Sequence, residues 1–448
     1  MGVMQGVAGA MGREVERQIG RRLEGMMAAR LEGGARLLAV AWPGGRLGPG
    51  DAAVMLRLRD SRWLTALAGA RLGDLAEAYV RGDLEIEGSL RDLMAAAGAL
   101  GADPVAAAAP SLVQRLWNRW RSNRLHDRLH DARQIQFHYD VSDDFYALWL
   151  DPRRVYSCAY WPAGVETLAA AQEAKLDLIC RKLRLEPGMR FLDVGAGWGG
   201  LLLWAAEHYG VQAHGVTLSK NQHAHVNRLI EQKGLGAQVR MELLDYRDIA
   251  HTDWGRAPFD RISSVGMFEH VGEAQLPGYF RHLHRLLTPG GLVLNHGITA
   301  GGLFNRQLGA GMGDFIERHI FPGGELVHVS KVTTTLAQGG LELLDAENLR
   351  PHYARTLWAW SDGLEAHWDE AAKLVSPETL RAYRLYLAGS AMSFEQGWLG
   401  LYQLLGARPD HQVEVPSEHG LRGRQSDYPF ERGYIYAPGS RDATHRHQ

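Results

Sequence analysis

Residues 191–200 read FLDVGAGWGG and lead into LLLWAAEHYG (201–210): a short apolar run interrupted by Asp193, a glycine-dense turn, then a segment with helical periodicity. The pattern predicts a buried strand, a tight loop and a helix. Glycines at 195, 197 and 199 let the backbone turn sharply and bring its amides against a ligand, since no β-carbon stands in the way. Alone, the loop leaves two readings open. It lacks the full GxGxxG spacing, and glycine turns after buried strands are common.

Its surroundings narrow the choice. VQAHGV (211–216) reads as a second strand, and TLSKNQ (217–222) as a polar cap opening the next helix. VRMELLDYRDI (239–249) reads as a third strand ending in Asp245 and Tyr246, and FDRISSVGMFEHVG (259–272) as a fourth. RHLHRLLTPGGLVLNHGIT (281–299) then runs helix, Pro-Gly-Gly turn, strand. Strands separated by helical segments of this length imply an α/β fold, an open parallel sheet whose ligands bind at the carboxyl ends of its strands. Gly195, Gly197, Thr217, Leu218, Gln222, Asp245, Tyr246, Glu269, His270 and His296 all fall at those ends. Strand two ends in Thr217 and Leu218 rather than in a lone acidic residue. That suits S-adenosylmethionine, which has no phosphate to neutralise, better than a dinucleotide. Asp245 and Tyr246 are placed to bond and cover an adenine edge.

Composition sets outer bounds. A chain of 448 residues exceeds one ordinary domain. Forty-nine basic against 51 acidic residues, a net charge of −2, argues against a general nucleic-acid partner. The two cysteines, Cys158 and Cys180, are not spaced as a disulfide or metal set, which fits a reducing compartment and no metal centre. No apolar run reaches the ~18 residues that span a bilayer, and the amino terminus is a poor signal peptide, so a cytoplasmic protein is expected.

Four regions are expected. Residues 1–110 read as a small α+β unit, with a sheet over 37–58 and helices around a glycine turn after residue 71. Residues 111–135 read as a linker helix on which Arg115, Arg119, Arg121, Arg124, Arg128 and Arg133 interleave with Trp117 and Trp120. Such a face suits either an anionic membrane surface or packing on the catalytic domain. Residues 136–405 form the catalytic domain, and 406–448, polar and aperiodic, a flexible tail. The glycine-rich apolar segment 301–315 is a candidate gate.

Further motifs tie these pieces together: FHYDVSDDFYALWLDP (137–152), VYSCAYW (155–161), VGAGWGG (194–200), VTLSKNQ (216–222), MFEHVG (267–272), LNHGIT (294–299), HIFPGGELV (319–327) and HYARTL (352–357). With them the chain resembles the cyclopropane-fatty-acyl-phospholipid synthases and the related mycolic-acid methyltransferases over roughly residues 70 to 405. The resemblance implies a class I S-adenosylmethionine-dependent methyltransferase domain of Rossmann-like fold, plus the smaller amino-terminal domain. It implies a donor pocket lined by Tyr156, Ser157, Gly195, Gly197, Thr217, Leu218, Gln222, Asp245 and Tyr246. It also implies a bound bicarbonate acting as base, held by Glu269, His296, Ile298, Tyr353 and the backbone of Cys158, which makes Cys158 a positioning residue and not a nucleophile.

The implied reaction converts the cis double bond of an unsaturated phospholipid acyl chain into a cyclopropane ring through a carbocation. An apolar, aromatic pocket would protect that cation from water. Trp161, Phe268, Phe304, Phe315, Tyr383, Tyr386, Phe394, Trp398 and Tyr402 are the candidates. In enzymes it resembles, an amino-terminal domain of this kind accompanies action on intact phospholipids. That implies peripheral association with the inner membrane surface, and a homodimer is expected. Gly297, where many relatives carry threonine, is expected to loosen the backbone beside the anion. The rivals are a methylene- or methyl-branching enzyme of the same fold and a non-catalytic lipid-binding scaffold.

Overall fold

The computed structural model describes residues 18–27, 29, 37–100, 105, 142–304, 308–413 and 423–436. The expected linker helix and its arginines lie outside the described residues.

The amino-terminal unit is a four-stranded sheet in the order β2-β1-β3-β4, with β1 at Leu38–Trp42, β2 at Gly45–Leu47, β3 at Val54–Leu58 and β4 at Leu84–Gly88. Helices Trp63–Ala68, Leu72–Val80 and Leu90–Leu100 cover it. Its core gathers Leu38, Val40, Leu56, Leu64 and Leu75 with Leu23 and Met27 of the preceding helix. The sequence reading took residues 84–88 into a helical region. They form a strand because Leu84 and Ile86 alternate with Glu85 and Glu87, a period of two, after Gly82 turns the chain at φ 77°.

The catalytic sheet has seven strands in the order β10-β11-β9-β8-β5-β6-β7. They are β5 Arg190–Val194, β6 Gln212–Thr217, β7 Val239–Leu243, β8 Phe259–Val265, β9 Leu287–Ala300, β10 Glu342–Asn348 and β11 Leu399–Ala407. Strands β7, β6, β5, β8 and β9 are parallel, and β11 enters antiparallel between β9 and β10. The expected third and fourth strands are shorter than read. Asp245 leaves β7 to cap a 3₁₀ turn, Tyr246–His251, and Phe268–His270 form a second such turn beyond β8. Those turns are what aim Tyr246 and Glu269 off the end of the sheet.

Two seams fix the rest. The amino-terminal unit sits against the catalytic domain with backbones in contact: Gly73 N–H donates to the Ala310 carbonyl at 3.0 Å. A β-carbon on Gly73 would lie 2.2 Å from the Gly311 carbonyl oxygen. Around that contact Glu77 meets Arg318 (2.5 Å) and His319 (2.8 Å), Glu85 meets Arg381 (2.8 Å), and the Tyr79 hydroxyl accepts from Arg384 (2.8 Å). Part of the expected gate, around residues 308–315, is thus pinned to the amino-terminal unit.

The second seam corrects the expectation of a flexible tail for residues 406–413 and 423–436, while 414–422 and 437–448 lie outside the described residues. Residues 411–413 and 423–425 pair as a short ribbon, and 426–436 fold back on the sheet edge. Ile435 is buried, its carbonyl accepts from Arg181 at 2.8 Å, and Arg432 pairs with Asp345 at 3.0 Å. One buried aliphatic and two arginines hold a segment whose composition reads as tail.

Candidate active site

The glycine loop leaves β5 with Gly195, Gly197 and Gly199 at φ 75°, 56° and 80°, the left-handed region where a side chain is strained. The N–H groups of Gly195 and Ala196 both donate to the Val216 carbonyl, at 3.1 and 3.0 Å, which locks the loop to β6. Those two amides are spent within the sheet, and the absent β-carbons leave room above the loop for a ligand. A β-carbon on Gly199 would meet Val226 at 2.9 Å, so helix packing also requires glycine there.

The cleft over this loop brings together Tyr156, Ser157, Gly195, Gly197, Thr217, Leu218, Gln222 and Tyr246, with Lys175, Asp193 and Trp198 beside them. Ser219 caps the helix beginning at Lys220, and the Thr217 hydroxyl donates to Gln222 Oε1 at 2.9 Å. The amide nitrogen of Gln222 and the indole nitrogen of Trp198 are buried with no protein partner. Two unspent donors beside a bare glycine loop fit an adenosyl ligand with an amino-acid tail. Asp245 departs from expectation. Its carboxylate binds the Arg247 side chain and backbone, and it lines an adjoining recess with Tyr246 and His282 rather than the cleft over the loop.

The segment carrying Tyr156, Ser157 and Cys158 has no regular structure and is held by side chains. Asp151 accepts from the backbone of Arg153 (2.9 Å) and Val155 (2.8 Å). From the Leu168–Lys182 helix, Gln172 donates to the Ser157 carbonyl (2.9 Å) and Lys175 Nζ to the Ser157 hydroxyl (3.0 Å). From the Arg350–Ala366 helix, Thr356 accepts from Ala159 N–H (3.1 Å) and His352 from Trp161 N–H (2.9 Å). Burial lowers the Lys175 ammonium to about 8, against the pull of Asp151. Burial raises Asp193 to about 6, opposed by its bond from Ser263 and by Lys175. Gln172 and Lys175 were missed in the sequence. Their signal is there, two polar residues three apart that fall on the same helix face as Ala171, Leu178 and Ile179.

A second cavity meets the first at Tyr156, Ser157, Gly266 and His270. Cys158, Glu269, His296, Ile298 and Tyr353 all line it, brought together from four separate parts of the fold. Glu269 Oε1 accepts from Ile298 N–H at 2.7 Å, while Oε2 is buried with no protein partner. Burial raises this carboxyl to about 7, with the Ile298 N–H pulling the other way. His296 lies opposite Gln403 of β11, whose amide nitrogen stands 3.2 Å from Nδ1. Nδ1 accepts there, so Nε2 carries the proton, and Nε2 is buried with no protein partner. Burial, aided by Lys175 and Lys182, holds the imidazole well below its ordinary range and hence neutral. One carboxyl oxygen and one imidazole N–H are thus buried without a protein partner on two residues that line the same cavity, a donor and an acceptor that suit a compact anion carrying its own hydroxyl.

The Cys158 thiol is fully buried and burial pushes it far up, which leaves it no nucleophile at neutral pH. Tyr353 packs against Phe394, ring centroids 4.7 Å apart. Gly297 overturns the expectation of a loosened backbone. It sits mid-strand, paired with Tyr402, and a β-carbon there would fall 2.2 Å from the Phe268 ring and 2.8 Å from Glu269 Oε1. Its missing side chain is the space the Glu269 turn occupies.

Of the nine aromatic candidates only Tyr386 and Phe394 line this cavity, joined by Tyr156, Tyr353 and Phe321. Phe304 is exposed, Phe268 packs under Gly297, the Trp161 indole donates to Thr356 at 3.0 Å, and the Tyr402 hydroxyl accepts from Asn348. Phe145, Tyr146 and Trp149 form the wall behind Tyr156, with Tyr146 and Trp149 each 5.5 Å from it. Among the described residues no cluster could hold a metal ion.

Comparisons with known proteins bear on the family and the fold. A family model described as mycolic acid cyclopropane synthetase matches residues 126–404. A probable fatty acid methyltransferase of Pseudomonas putida is 42% identical over 82% of this chain and 91% of its own length. A probable fatty acid methyltransferase of Mycobacterium tuberculosis is 39% identical over 83% and 90%. The crystal structure of the mycolic acid cyclopropane synthase CmaA1 complexed with SAH and CTAB superposes with a TM-score of 0.57 at 39% identity, covering 62% of this chain and 98% of that one.

Proposed function

This chain belongs to the mycolic acid cyclopropane synthetase family, and on that premise we propose that it transfers a one-carbon unit from S-adenosylmethionine to the cis double bond of a phospholipid acyl chain, closing a cyclopropane ring. The donor, when bound, supplies an electrophilic methyl group. Gln222, Trp198 and the glycine loop hold it, and Lys175 keeps Ser157 in place beside it.

The observation that carries the proposal is the pair of buried atoms without a protein partner, Glu269 Oε2 and His296 Nε2, on residues that line a largely apolar and aromatic cavity meeting the donor cleft. An unactivated alkene is a weak nucleophile, so the cavity must orient it and exclude water. Tyr156, Tyr353, Tyr386 and Phe394 present faces that favour a cation on the substrate carbon. Bicarbonate is the base we assign to the space between Glu269 and His296. His296 donates through Nε2 and Glu269 accepts the anion's hydroxyl. A carboxyl raised to about 7 keeps the repulsion between two anions small near neutrality.

Phospholipid, rather than a carrier-bound chain, is favoured by the amino-terminal unit. The two fatty acid methyltransferase relatives align over more than four-fifths of this chain, whereas a cyclopropane mycolic acid synthase of Mycobacterium tuberculosis aligns over 60%. No helix of the described residues is long and apolar enough to cross a membrane.

The test is to incubate vesicles of cis-monounsaturated phospholipid with the protein, S-adenosylmethionine and bicarbonate, and to locate double bonds by derivatisation and mass spectrometry. Gain of CH2 with loss of the alkene is expected. The same gain with an alkene retained would replace ring closure by branching, and no gain from any lipid would overturn the assignment.

A further inference from the structure

Beyond the reaction cavity lies a third space, and no catalytic step uses it. It is a partly open recess with a cavity volume of about 140 Å³ between the amino-terminal unit and the catalytic domain. Leu72, Ala76, Leu93 and Ala97 wall it on one side, Met312 and Gly389 on the other. No charged side chain reaches it. It shares Leu308, Ile316, Tyr386 and Ser390 with the reaction cavity, so the two are separated by single side chains.

We propose that this chamber holds the methyl-terminal end of the acyl chain, so that the amino-terminal unit is part of the substrate site and sets how long a segment is accepted beyond the double bond. The inference rests on the lipid reading above. Three observations support it. An aliphatic void of this size does not hold water and costs stability unless something apolar fills it. Because only single side chains part it from the reaction cavity, the distal acyl segment is the apolar group nearest to it, while a charged headgroup could not be desolvated there. Finally, Gly389, on the Pro377–Glu395 helix, faces open space: a β-carbon added there meets nothing within 4 Å. The ion pairs of Glu77 and Glu85 close the seam around the chamber.

Two measurements test it with the full chain. The first uses a phosphatidylglycerol whose acyl chain carries a diazirine at its methyl end, photolysed on the protein and mapped by peptide mass spectrometry. Labelling within 72–97 is expected. Labelling confined to the catalytic domain, or none in a preparation that methylates ordinary vesicles, overturns the inference while leaving the lipid reading intact. If no lipid is methylated, the reaction assignment fails, and labelling within 72–97 still decides whether the chamber takes a chain. The second compares Gly389→Leu with wild type on chains sharing a cis-9 double bond. The variant is expected to shift the ratio of kcat/KM for octadecenoyl over tetradecenoyl chains downward by about tenfold. An unchanged ratio would argue against the chamber even if both rates fall.

Discussion

The donor cleft and the reaction cavity share Tyr156 and Ser157 and are built in opposite ways. Much of the cleft is walled by the loops at the ends of successive strands, the glycine turn after β5 and the cap after β6, with Tyr156, Ser157 and Lys175 added from elsewhere. The cavity is walled by side chains from a segment near residue 158, a turn at 269, strand β9 and a helix beginning at 350, and its polar atoms are left partly unsatisfied. The cleft should therefore be sensitive to an added β-carbon and the cavity to a lost charge or a filled gap. The unsatisfied Glu269 and His296 also imply that stability has been given up there for chemistry.

The largest effect should come from the cavity. Glu269→Gln is expected to lower turnover about 100-fold or more, as loss of an acid-base or anion-positioning group does, while calorimetric affinity for S-adenosylmethionine changes less than about threefold. Loss of donor binding would mean that the two chambers are one site. Next, Gly297→Ala should destabilise the protein by about 1–3 kcal/mol in urea unfolding, because the new methyl lands on Phe268 and the Glu269 carboxylate. A neutral result would show the Glu269 turn to be loosely held.

A pH series isolates the buried carboxyl. Glu269 takes up its proton at about 7 in the folded protein against an ordinary value of 4.5. The folded state therefore binds more protons between those values, and stability attributable to Glu269 is full below the lower one and lost as pH rises through 7. Relative to wild type, Glu269→Gln should thus gain on the order of 2 kcal/mol in unfolding free energy between about pH 5 and 8. A constant difference would place water against that carboxylate. The smallest effect belongs to the cleft: Gly195→Ala, strained at φ 75°, should weaken donor binding about tenfold without changing the pH series.

The same contrast explains what could be read from the chain. Strands β5 to β9, the glycine loop and the Ser219 cap are local patterns, and the sequence shows them directly. Glu269, His296 and Tyr353 came from resemblance, since a lone glutamate after a strand and a lone histidine within one have commoner roles as cap and core. What stayed hidden was non-local. The Gln403 amide that fixes the His296 proton, the glycine at 297 that makes room for a ring from residue 268, and Ile435 anchoring an apparent tail all depend on partners 29 or more residues away. Asp245 was assigned by position at a strand end, and the neighbouring Arg247 redirects it.

The hydrogen bond from Gly73 to Ala310 is the one amide of its helix that reaches across to the other domain, and it closes where two glycine backbones touch. Its exchange with deuterium reports how often that contact opens, whether the two units part or the 308–311 segment moves, and if a lipid must pass between them such opening has to accompany each departure of product and arrival of the next chain.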